Sequence, residues 1–307
     1  MTIADIPEDE LLTLRDWIRW TASHFNRSGL FFGHGTDNAL DEAVELVLAT
    51  LQLQHDLPDA FLQARVTRAE AGELAARIVR RVEDRVPLAY LTGRAWFAGL
   101  EFSVNENVLV PRSPIAELIH NGFQPWLGDA RVDSILDLCC GSGCIGIACA
   151  YAFPDALVDL ADISPDALEV ASRNIDKHGL DDRVRAIRSD VFDGLDGERY
   201  DLIVSNPPYV SSAEMRSLPA EYRHEPVLGL EAGGDGMDVV SRILRGACDY
   251  LSPDGILVVE VGASADLLMA RYPDVPFLWL DFAHGGDGVF LLTADQLADY
   301  RDLFWEA

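Results

Sequence analysis

Asn206-Pro207-Pro208-Tyr209 is the stretch whose residue types point most directly to chemistry. Proline nitrogens carry no hydrogen, so the carbonyl oxygens of Asn206 and Pro207 are acceptors without nearby backbone donors, and the Asn206 amide adds another acceptor. Two acceptors at a fixed separation match a planar NH2 group, and the Tyr209 ring could stack over that plane. The pattern predicts a stiff binding loop for a flat nitrogen group; the plainer alternative is an ordinary turn at the end of a strand.

A glycine-rich turn after the apolar run 132–138 is a second candidate site. Glycines let the chain turn tightly and let a ligand approach the backbone, while the start of the following helix offers free N–H groups. Gly141, Gly143 and Gly146 satisfy the G-x-G-x-x-G dinucleotide pattern, so a nicotinamide dehydrogenase is one interpretation. Asp162, 19 residues beyond Gly143, could accept hydrogen bonds from ribose hydroxyls. The turn predicts an adenosine cofactor and leaves its chemistry open.

Polar groups also follow the next two predicted strands. Asp190 could accept from an adenine amine, beside the apolar residues Val191 and Phe192, and Asn206 follows the run 200–205. The carboxyl ends of parallel strands meet in one crevice, which is where open α/β sheets bind ligands. This arrangement resembles the S-adenosylmethionine-dependent methyltransferase fold, which implies a seven-stranded sheet with a reversed last strand. A dehydrogenase would leave the proline loop unexplained.

Alternating strands and helices must position these groups. From residue 132 onward this alternation predicts an α/β domain with a parallel sheet covered on both faces. The predicted strands span 132–138, 156–161, 184–187, 200–205, 256–261, 277–282 and 288–293. The predicted helices include 143–151, 166–178 and 238–251.

The N-terminal part of the chain shows a helical period and no convincing strand. Helices are predicted over 8–25, over 39–53, and from the capping box at Thr67 to a point before Pro87. Segments 97–102 and 104–110 are predicted to pair as a hairpin. The expected division is a helical substrate-recognition domain (1–94), a β-hairpin linker (95–110) and a catalytic domain (111–307).

Charge narrows the choice of partner. The 307 residues include 51 acidic and 24 basic ones, for a net charge of −27. A protein that grips nucleic acid needs arginine and lysine to neutralise phosphates, so this balance argues against direct nucleic-acid binding and favours a basic protein partner. A general acidic bias is the alternative, because Lys177 is the only lysine.

The sequence shows neither a membrane-spanning run nor a signal-peptide pattern, and this bears on where the protein acts. No apolar run reaches the length that spans a bilayer, and the acidic start has no signal-peptide pattern, so we expect a cytoplasmic protein that does not enter a membrane. Four of the five cysteines lie within 139–149 without the paired spacing of a zinc site, which predicts neither a metal nor a disulfide framework.

Several segments together carry a closer resemblance. The proline loop, the glycine turn and the stretch 108–112 (Val-Leu-Val-Pro-Arg), behind a helical domain and a hairpin, resemble the bacterial protein-glutamine methyltransferases. Segments 33–38 (Gly-His-Gly-Thr-Asp-Asn), 222–226 (Tyr-Arg-His-Glu-Pro) and 286–290 (Gly-Asp-Gly-Val-Phe) resemble the branch that methylates a glutamine of large-subunit ribosomal protein L-three.

This resemblance implies roles for particular residues. The cofactor would be S-adenosyl-L-methionine and the partner a basic ribosomal protein. The catalytic residues would be Asn206, Pro207, Pro208 and Tyr209. The cofactor-binding residues would be Asp137, Cys140, Gly141, Ser142, Gly143, Asp162, Ile163, Asp190, Val191 and Asn206. In one departure, Cys139-Cys140 stand where many relatives have glycine, and we expect their side chains to narrow the turn.

Three other functions fit parts of the pattern. A sibling enzyme would methylate the glutamine of peptide-chain release factors, and motif chemistry does not separate it. An enzyme that methylates the adenine amine of DNA shares the proline-loop logic, although the negative charge counts against it. A non-catalytic ribosome-assembly factor that binds the cofactor is the third.

Overall fold

The computed structural model of the chain describes residues 6–128, 131–195, 197–283 and 285–306, which form two compact units. The first unit contains the chain up to Ala95 together with Pro219–His224, and the second contains Trp96–Leu218 and the chain from Glu225 onward. The segment 219–224 falls inside the range expected for the catalytic domain. It packs with the first unit because Glu221 is buried there against Arg81.

Side-chain caps decide where the helices of the first unit begin. Thr13 and Thr67 each accept a hydrogen bond from the N–H three residues later, and Asp16 and Glu70 complete the two capping boxes. Asn38 caps the next helix in the same way. The first helix therefore begins after Thr13 and not at residue 8. The four helices are α1 (Leu14–Arg27), α2 (Ala39–Thr50), α3 (Arg68–Glu83) and α4 (Leu88–Thr92).

The hairpin is present but displaced from its predicted position. Its strands are β1 (Arg94–Phe97) and β2 (Leu100–Ser103). Ala98 and Gly99 form the turn, with φ of 49° and 79°. Two consecutive residues with positive φ are what a two-residue hairpin turn requires, so the chain reverses here and the predicted second strand over 104–110 is wrong.

The second unit is built on a seven-stranded sheet with the order β5-β4-β3-β6-β7-β9-β8. Strands β3 to β7 pair in parallel, while β9 runs antiparallel to both of its neighbours. The predicted seven-stranded methyltransferase sheet with a reversed last strand is therefore confirmed. The strands are β3 (Ser134–Leu138), β4 (Leu157–Asp162), β5 (Val184–Arg188), β6 (Tyr200–Ser205), β7 (Leu251–Glu260), β8 (Leu278–Trp279) and β9 (Val289–Thr293).

Helices cover both faces of this sheet. Alternate residues of one strand face opposite sides, so Leu202 and Val204 join one apolar core while Ile203 joins the other. The helices are α5 (Ile115–His120), α6 (Cys144–Ala152), α7 (Pro165–His178), α8 (Ser212–Met215), α9 (Val227–Leu230), α10 (Asp238–Tyr250), α11 (Ala265–Arg271), α12 (Ala294–Asp299) and α13 (Leu303–Glu306). Within the described ranges, no helix is long and apolar enough to cross a membrane.

Candidate active site

The predicted site residues follow strands whose carboxyl ends are level with one another. In the register of the sheet, Leu138 of β3 lies beside Ala161 of β4 and Ser205 of β6. The Ser205 hydroxyl donates to the Leu138 carbonyl at 2.7 Å, which ties β6 to β3 at this edge. The glycine turn, Asp162 and Asn206 therefore emerge at the same edge of the sheet.

Glycine is required in the turn for two different reasons. Gly141 has φ of +53°, and a Cβ placed there would meet no atom within 4 Å, so its outer side is open. Gly146 lies against the sheet instead, where a Cβ would stand 2.2 Å from Leu160 Cδ2. Gly143 has φ of +77° and is similarly close to Leu160. Gly141 is therefore the glycine whose open side leaves room for a ligand next to the backbone.

Asp137 is a buried acid at the end of β3. Its Oδ2 accepts the Gly146 N–H at 2.8 Å, while Oδ1 is buried and has no hydrogen-bond partner among the described residues. Burial raises the pKa of Asp137 to about 8, and the nearby charge of Asp162 acts in the same direction. A buried carboxyl with one unused oxygen is suited to a cationic or hydrogen-donating ligand.

Asp162, the predicted ribose ligand, holds the turn through its carboxylate. Its Oδ2 accepts the Gly141 N–H and its Oδ1 accepts the Ser164 N–H, both at 2.9 Å. Burial raises the pKa of Asp162, although these backbone donors oppose the shift. Each carboxylate oxygen has two lone pairs, so both can still accept from ribose hydroxyls. Ile163 is 42% exposed beside it, in a position to offer an apolar surface.

Asp190 and Val191 lie in a strained segment held by Arg242. The Arg242 guanidinium donates from Nη1 to Asp190 Oδ1 at 2.7 Å, a contact the sequence analysis missed. Val191 has φ of +55° and Cys139 has φ of +58°. Positive φ is a genuine outlier for a β-branched residue, and such strain concentrates at functional sites. Both residues lie next to predicted adenosine-binding residues, and four other described non-glycine residues with positive φ (Gln52, Arg85, Ala98 and Phe123) lie elsewhere in the chain.

The two cysteines of the turn do not both narrow it. Cys140 is buried in the core cluster that includes Ile145 and Ala148, so its side chain fills the core, and the expectation is wrong for this residue. Burial also raises the pKa of both the Cys139 and Cys140 thiols, which remain protonated. Ser142 is buried, and its carbonyl accepts from the amide of Asn174 at 2.9 Å.

The proline loop is anchored at its end. Pro207 and Pro208 are buried, while Asn206 and Tyr209 are half-buried. The Tyr209 hydroxyl donates to Glu260 Oε1 at 3.0 Å. Directly after the loop, the Val210 N–H donates to the Leu230 carbonyl and the Val210 carbonyl accepts from Ala232. The two prolines are therefore held between the sheet on one side and a backbone anchor on the other.

Motifs that are far apart in the sequence meet in the second unit. Arg112 donates to both carboxylate oxygens of Glu225, at 2.6 and 2.7 Å, and Oε1 also accepts the Val110 N–H at 3.0 Å. A bidentate pair of this kind fixes both position and orientation. It ties the segment 108–112 to Glu225, and so secures the chain that follows the proline loop.

A second meeting of motifs lies in the first unit, centred on Arg81. This buried side chain donates to Glu42, to Glu221 Oε1 at 3.1 Å and to the Phe31 carbonyl at 2.8 Å. The hydroxyl of Thr36 donates to Glu42 at 2.9 Å. The segments 33–38 and 219–224 thus share one buried ion network, and a helical period alone would not identify Arg81 as its centre.

Comparison with known proteins gives the family. Residues 124–221 match the family described as methyltransferase small domain. A protein of Francisella tularensis subsp. tularensis named ribosomal protein uL3 glutamine methyltransferase is 51% identical over 297 residues, which cover 96% of this chain and 95% of the relative. A protein of the same name from Neisseria gonorrhoeae is 51% identical over 290 residues, covering 94% and 96%. The chain belongs to the ribosomal protein uL3 glutamine methyltransferase family.

A solved structure supports the fold. The hMettl16 catalytic domain, crystallised with a MAT2A 3′UTR hairpin, matches 73% of this chain and 81% of its own with a TM-score of 0.50 and 16% identity. At that identity the likeness shows the methyltransferase fold alone.

Members of methyltransferase families use S-adenosyl-L-methionine, and the residues at this edge fit it. The unused Asp137 Oδ1 fits a cationic group, and the open side of Gly141 leaves room next to the backbone. Asp162 has acceptors of the kind that ribose hydroxyls need, and the exposed Ile163 side chain offers apolar surface, whereas the Val191 side chain is buried in the core. The chain therefore supplies donors, acceptors and space of the kinds this cofactor needs.

Proposed function

We propose that this chain methylates the side-chain amide nitrogen of a glutamine in a large-subunit ribosomal protein of the uL3 class. The observation that carries the proposal is the proline loop, which follows β6 at the same edge of the sheet as the glycine turn. The relatives, which are named for this activity, supply the substrate class.

Asn206 and Pro207 have the central roles in this proposal. A carboxamide nitrogen is a poor nucleophile because its lone pair is shared with the carbonyl, so catalysis must come from alignment and electrostatics. The Asn206 side-chain oxygen and the Pro207 carbonyl accept the two amide N–H groups and fix the direction of the nitrogen. Alignment of this kind can contribute as much as ~7–11 kcal/mol to lowering the barrier.

The same acceptors stabilise positive charge as it develops on the nitrogen. Preorganised groups contribute roughly 3–4 kcal/mol each when they are well placed. Bound S-adenosyl-L-methionine supplies a methyl group attached to a sulfonium. The methylated nitrogen is acidic and releases its extra proton to water, so the loop needs no strong base.

In this proposal Asp162 accepts from the ribose and Asp190 from the adenine amine, while Tyr209 packs on the substrate amide. The substrate is a basic protein, which suits a chain with a net charge of −27. We further propose that the enzyme acts in the cytoplasm, where ribosomal proteins are made, without gripping nucleic acid or entering a membrane. Residues 1–94 serve substrate recognition.

A methyl-transfer assay tests the proposal. The purified chain is incubated with a labelled methyl donor and, in separate reactions, a uL3-class ribosomal protein, a release factor and duplex DNA. We expect label in the ribosomal protein alone, on a glutamine located by mass spectrometry. Label in the release factor or DNA alone would replace the proposed substrate, and label in none of them would remove the proposed function.

Variants of the loop test the mechanism in the same assay. Asn206→Ala should reduce kcat by about 100-fold or more, the size measured for removal of one preorganised group, while cofactor affinity changes little. Asn107→Ala is the matched control, because this asparagine is exposed and lies outside both the glycine turn and the proline loop. Unchanged turnover in Asn206→Ala would contradict the mechanism.

A further inference from the structure

Tyr209 is held at three points by the second unit. Its hydroxyl donates to Glu260 Oε1 at 3.0 Å, and its carbonyl accepts from the Ser264 hydroxyl at 3.1 Å. Its ring lies against Gly262, where a Cβ would stand 2.8 Å from Tyr209 Cε2. The backbone of Tyr209 is equally close to Gly236, since a Cβ there would stand 2.3 Å from the Tyr209 carbonyl oxygen. The ring therefore has little freedom to turn.

Glu260 is the polar member of this arrangement. It is the last residue of β7, with an exposed fraction of 6%, and it is paired in register with Val289 of β9. Its second oxygen, Oε2, accepts from the Ser113 hydroxyl at 2.6 Å. Burying a carboxyl on a central strand costs desolvation free energy, even when two hydroxyls donate to it. An apolar side chain would fill the same space without that cost.

We propose that Glu260 is a positioning residue, whose ionised carboxylate holds the Tyr209 ring in the orientation that packs on the substrate amide. This inference rests on the proposed function. The carboxylate can accept from both hydroxyls at once, because an ionised acid is an acceptor at both oxygens. Protonation neutralises the carboxyl, so the bond from the Tyr209 hydroxyl loses its charge assistance and holds the ring less firmly.

The charges around Glu260 make this arrangement sensitive to pH. Burial raises the pKa of Glu260, and the negative charge of Asp287 acts in the same direction. The hydrogen bonds from Ser113 and Tyr209 and the positive charge of Arg112 oppose the shift. Because the net pKa is raised, protonation on acidification begins at a higher pH than for an exposed glutamate. The rate of methyl transfer should fall as Glu260 becomes protonated.

The experiment is a double-mutant cycle with Tyr209→Phe and Glu260→Gln, each of which leaves side-chain size nearly unchanged. We expect each single variant to lower kcat by about tenfold or more, since a hydrogen bond to a charged group is removed. The double variant should be no slower than the slower single variant, because both changes remove the same charge-assisted bond. Cofactor affinity should stay within about twofold. Tyr151→Phe, an exposed tyrosine, is the control and should keep wild-type kcat.

The pH profile separates positioning from mere structural support. The wild type should lose kcat on acidification, and both Tyr209→Phe and Glu260→Gln should lack this acid limb, since neither has the charge-assisted bond that protonation weakens. If Glu260→Gln does not fold, the pH dependence of kcat in Tyr209→Phe still tests whether Glu260 acts through Tyr209. Effects that multiply in the double variant, or an acid limb that persists in Tyr209→Phe, would overturn the assignment.

Failure of this inference can be told apart from failure of the proposed function. A wild-type chain that transfers no methyl group to a glutamine refutes the proposed function and the inference together. A wild-type chain that does so, with independent effects at Tyr209 and Glu260, refutes only the role of Glu260.

Discussion

Gly146→Ala is the most direct test of how the glycine turn is built. The added Cβ would stand 2.2 Å from Leu160 Cδ2 and 3.0 Å from Asp137 Cβ. Leu160 is fully buried, so it has no free volume into which to move. Overpacking of this kind costs ~1–3 kcal/mol. A shift of α6 to relieve it would also break the 2.8 Å bond from the Gly146 N–H to Asp137.

The expected net effect combines three contributions. Loss of the bond to a buried acceptor costs ~1–3 kcal/mol, while replacing a helical glycine with alanine returns about 1 kcal/mol. We therefore expect Gly146→Ala to lower the free energy of unfolding of the second unit by about 3 kcal/mol. Binding of S-adenosyl-L-methionine should weaken in parallel, because Gly141 and Asp137 share the turn.

Two other glycines separate these contributions. Gly72 is exposed within α3, with no atom within 4 Å of its Cβ position, so Gly72→Ala should stabilise the first unit by about 1 kcal/mol through helix propensity alone. Gly141→Ala meets no neighbour but forces alanine to φ of +53°, which costs ~1–2 kcal/mol without a clash.

Equilibrium unfolding in urea, followed by circular dichroism, measures all three variants, and titration calorimetry measures cofactor binding. A Gly146→Ala protein that is as stable as the wild type would show that Leu160 and α6 can move to accommodate the added Cβ at little cost in free energy. In that case the argument that close packing explains this glycine would be wrong.

Three further predictions concern charge. Arg81→Met should destabilise the first unit by ~3–5 kcal/mol in urea unfolding, because Glu42 would stay buried without its cation and Glu221 would be left with the more distant Arg85, at 3.8 Å; Arg80→Met, on the exposed side of the same helix, is the control and should cost less than ~0.5 kcal/mol. The pKa of Asp137 is raised from 3.8 to about 8 in the folded state, so between these pH values the folded state retains a proton that the unfolded chain releases. As pH rises through this range, the free energy of unfolding should therefore fall by up to ~1.4 kcal/mol per pH unit. Asp137→Asn should remove this slope, and equal slopes in the two proteins would contradict the prediction. Added NaCl should raise the unfolding temperature by screening the repulsion of a net charge of −27, whereas a flat or falling response would show that repulsion is unimportant.

Local signals in the sequence predicted the elements and their order. Capping threonines and asparagine mark helix starts because they satisfy N–H groups within three residues, and alternation of apolar runs marks the parallel sheet. The convergence of Asp162 and Asn206 also followed, since parallel strands place their carboxyl ends at one edge. These features depend on neighbours in the sequence or on general rules of topology.

Contacts between segments that are distant in the sequence have no local pattern from which they could be predicted. Arg242 meets Asp190 from 52 positions away, and Arg81 meets Glu221 from 140. The predicted strand 277–282 shrinks to Leu278–Trp279, because β8 is an edge strand that pairs only with β9 among the described strands. Its apolar residues pack through side chains, and a hydrophobic pattern does not distinguish such packing from backbone pairing.

Three acids with raised pKa and two residues with strained backbone lie at the carboxyl ends of the strands, and this is a physical argument for function. Asp137 and Glu260 are buried acids and Asp162 is a half-buried one, and the raised pKa of each makes the folded state less stable near neutral pH. Cys139 and Val191 add strained backbone at the same edge. Selection for stability alone would favour apolar side chains in place of the acids and glycine in place of the residues with positive φ. These replacements would remove the desolvation cost and the backbone strain. The concentration of these acids and strained residues at the carboxyl ends of the strands is what a preformed site for a charged cofactor and a precisely oriented amide requires.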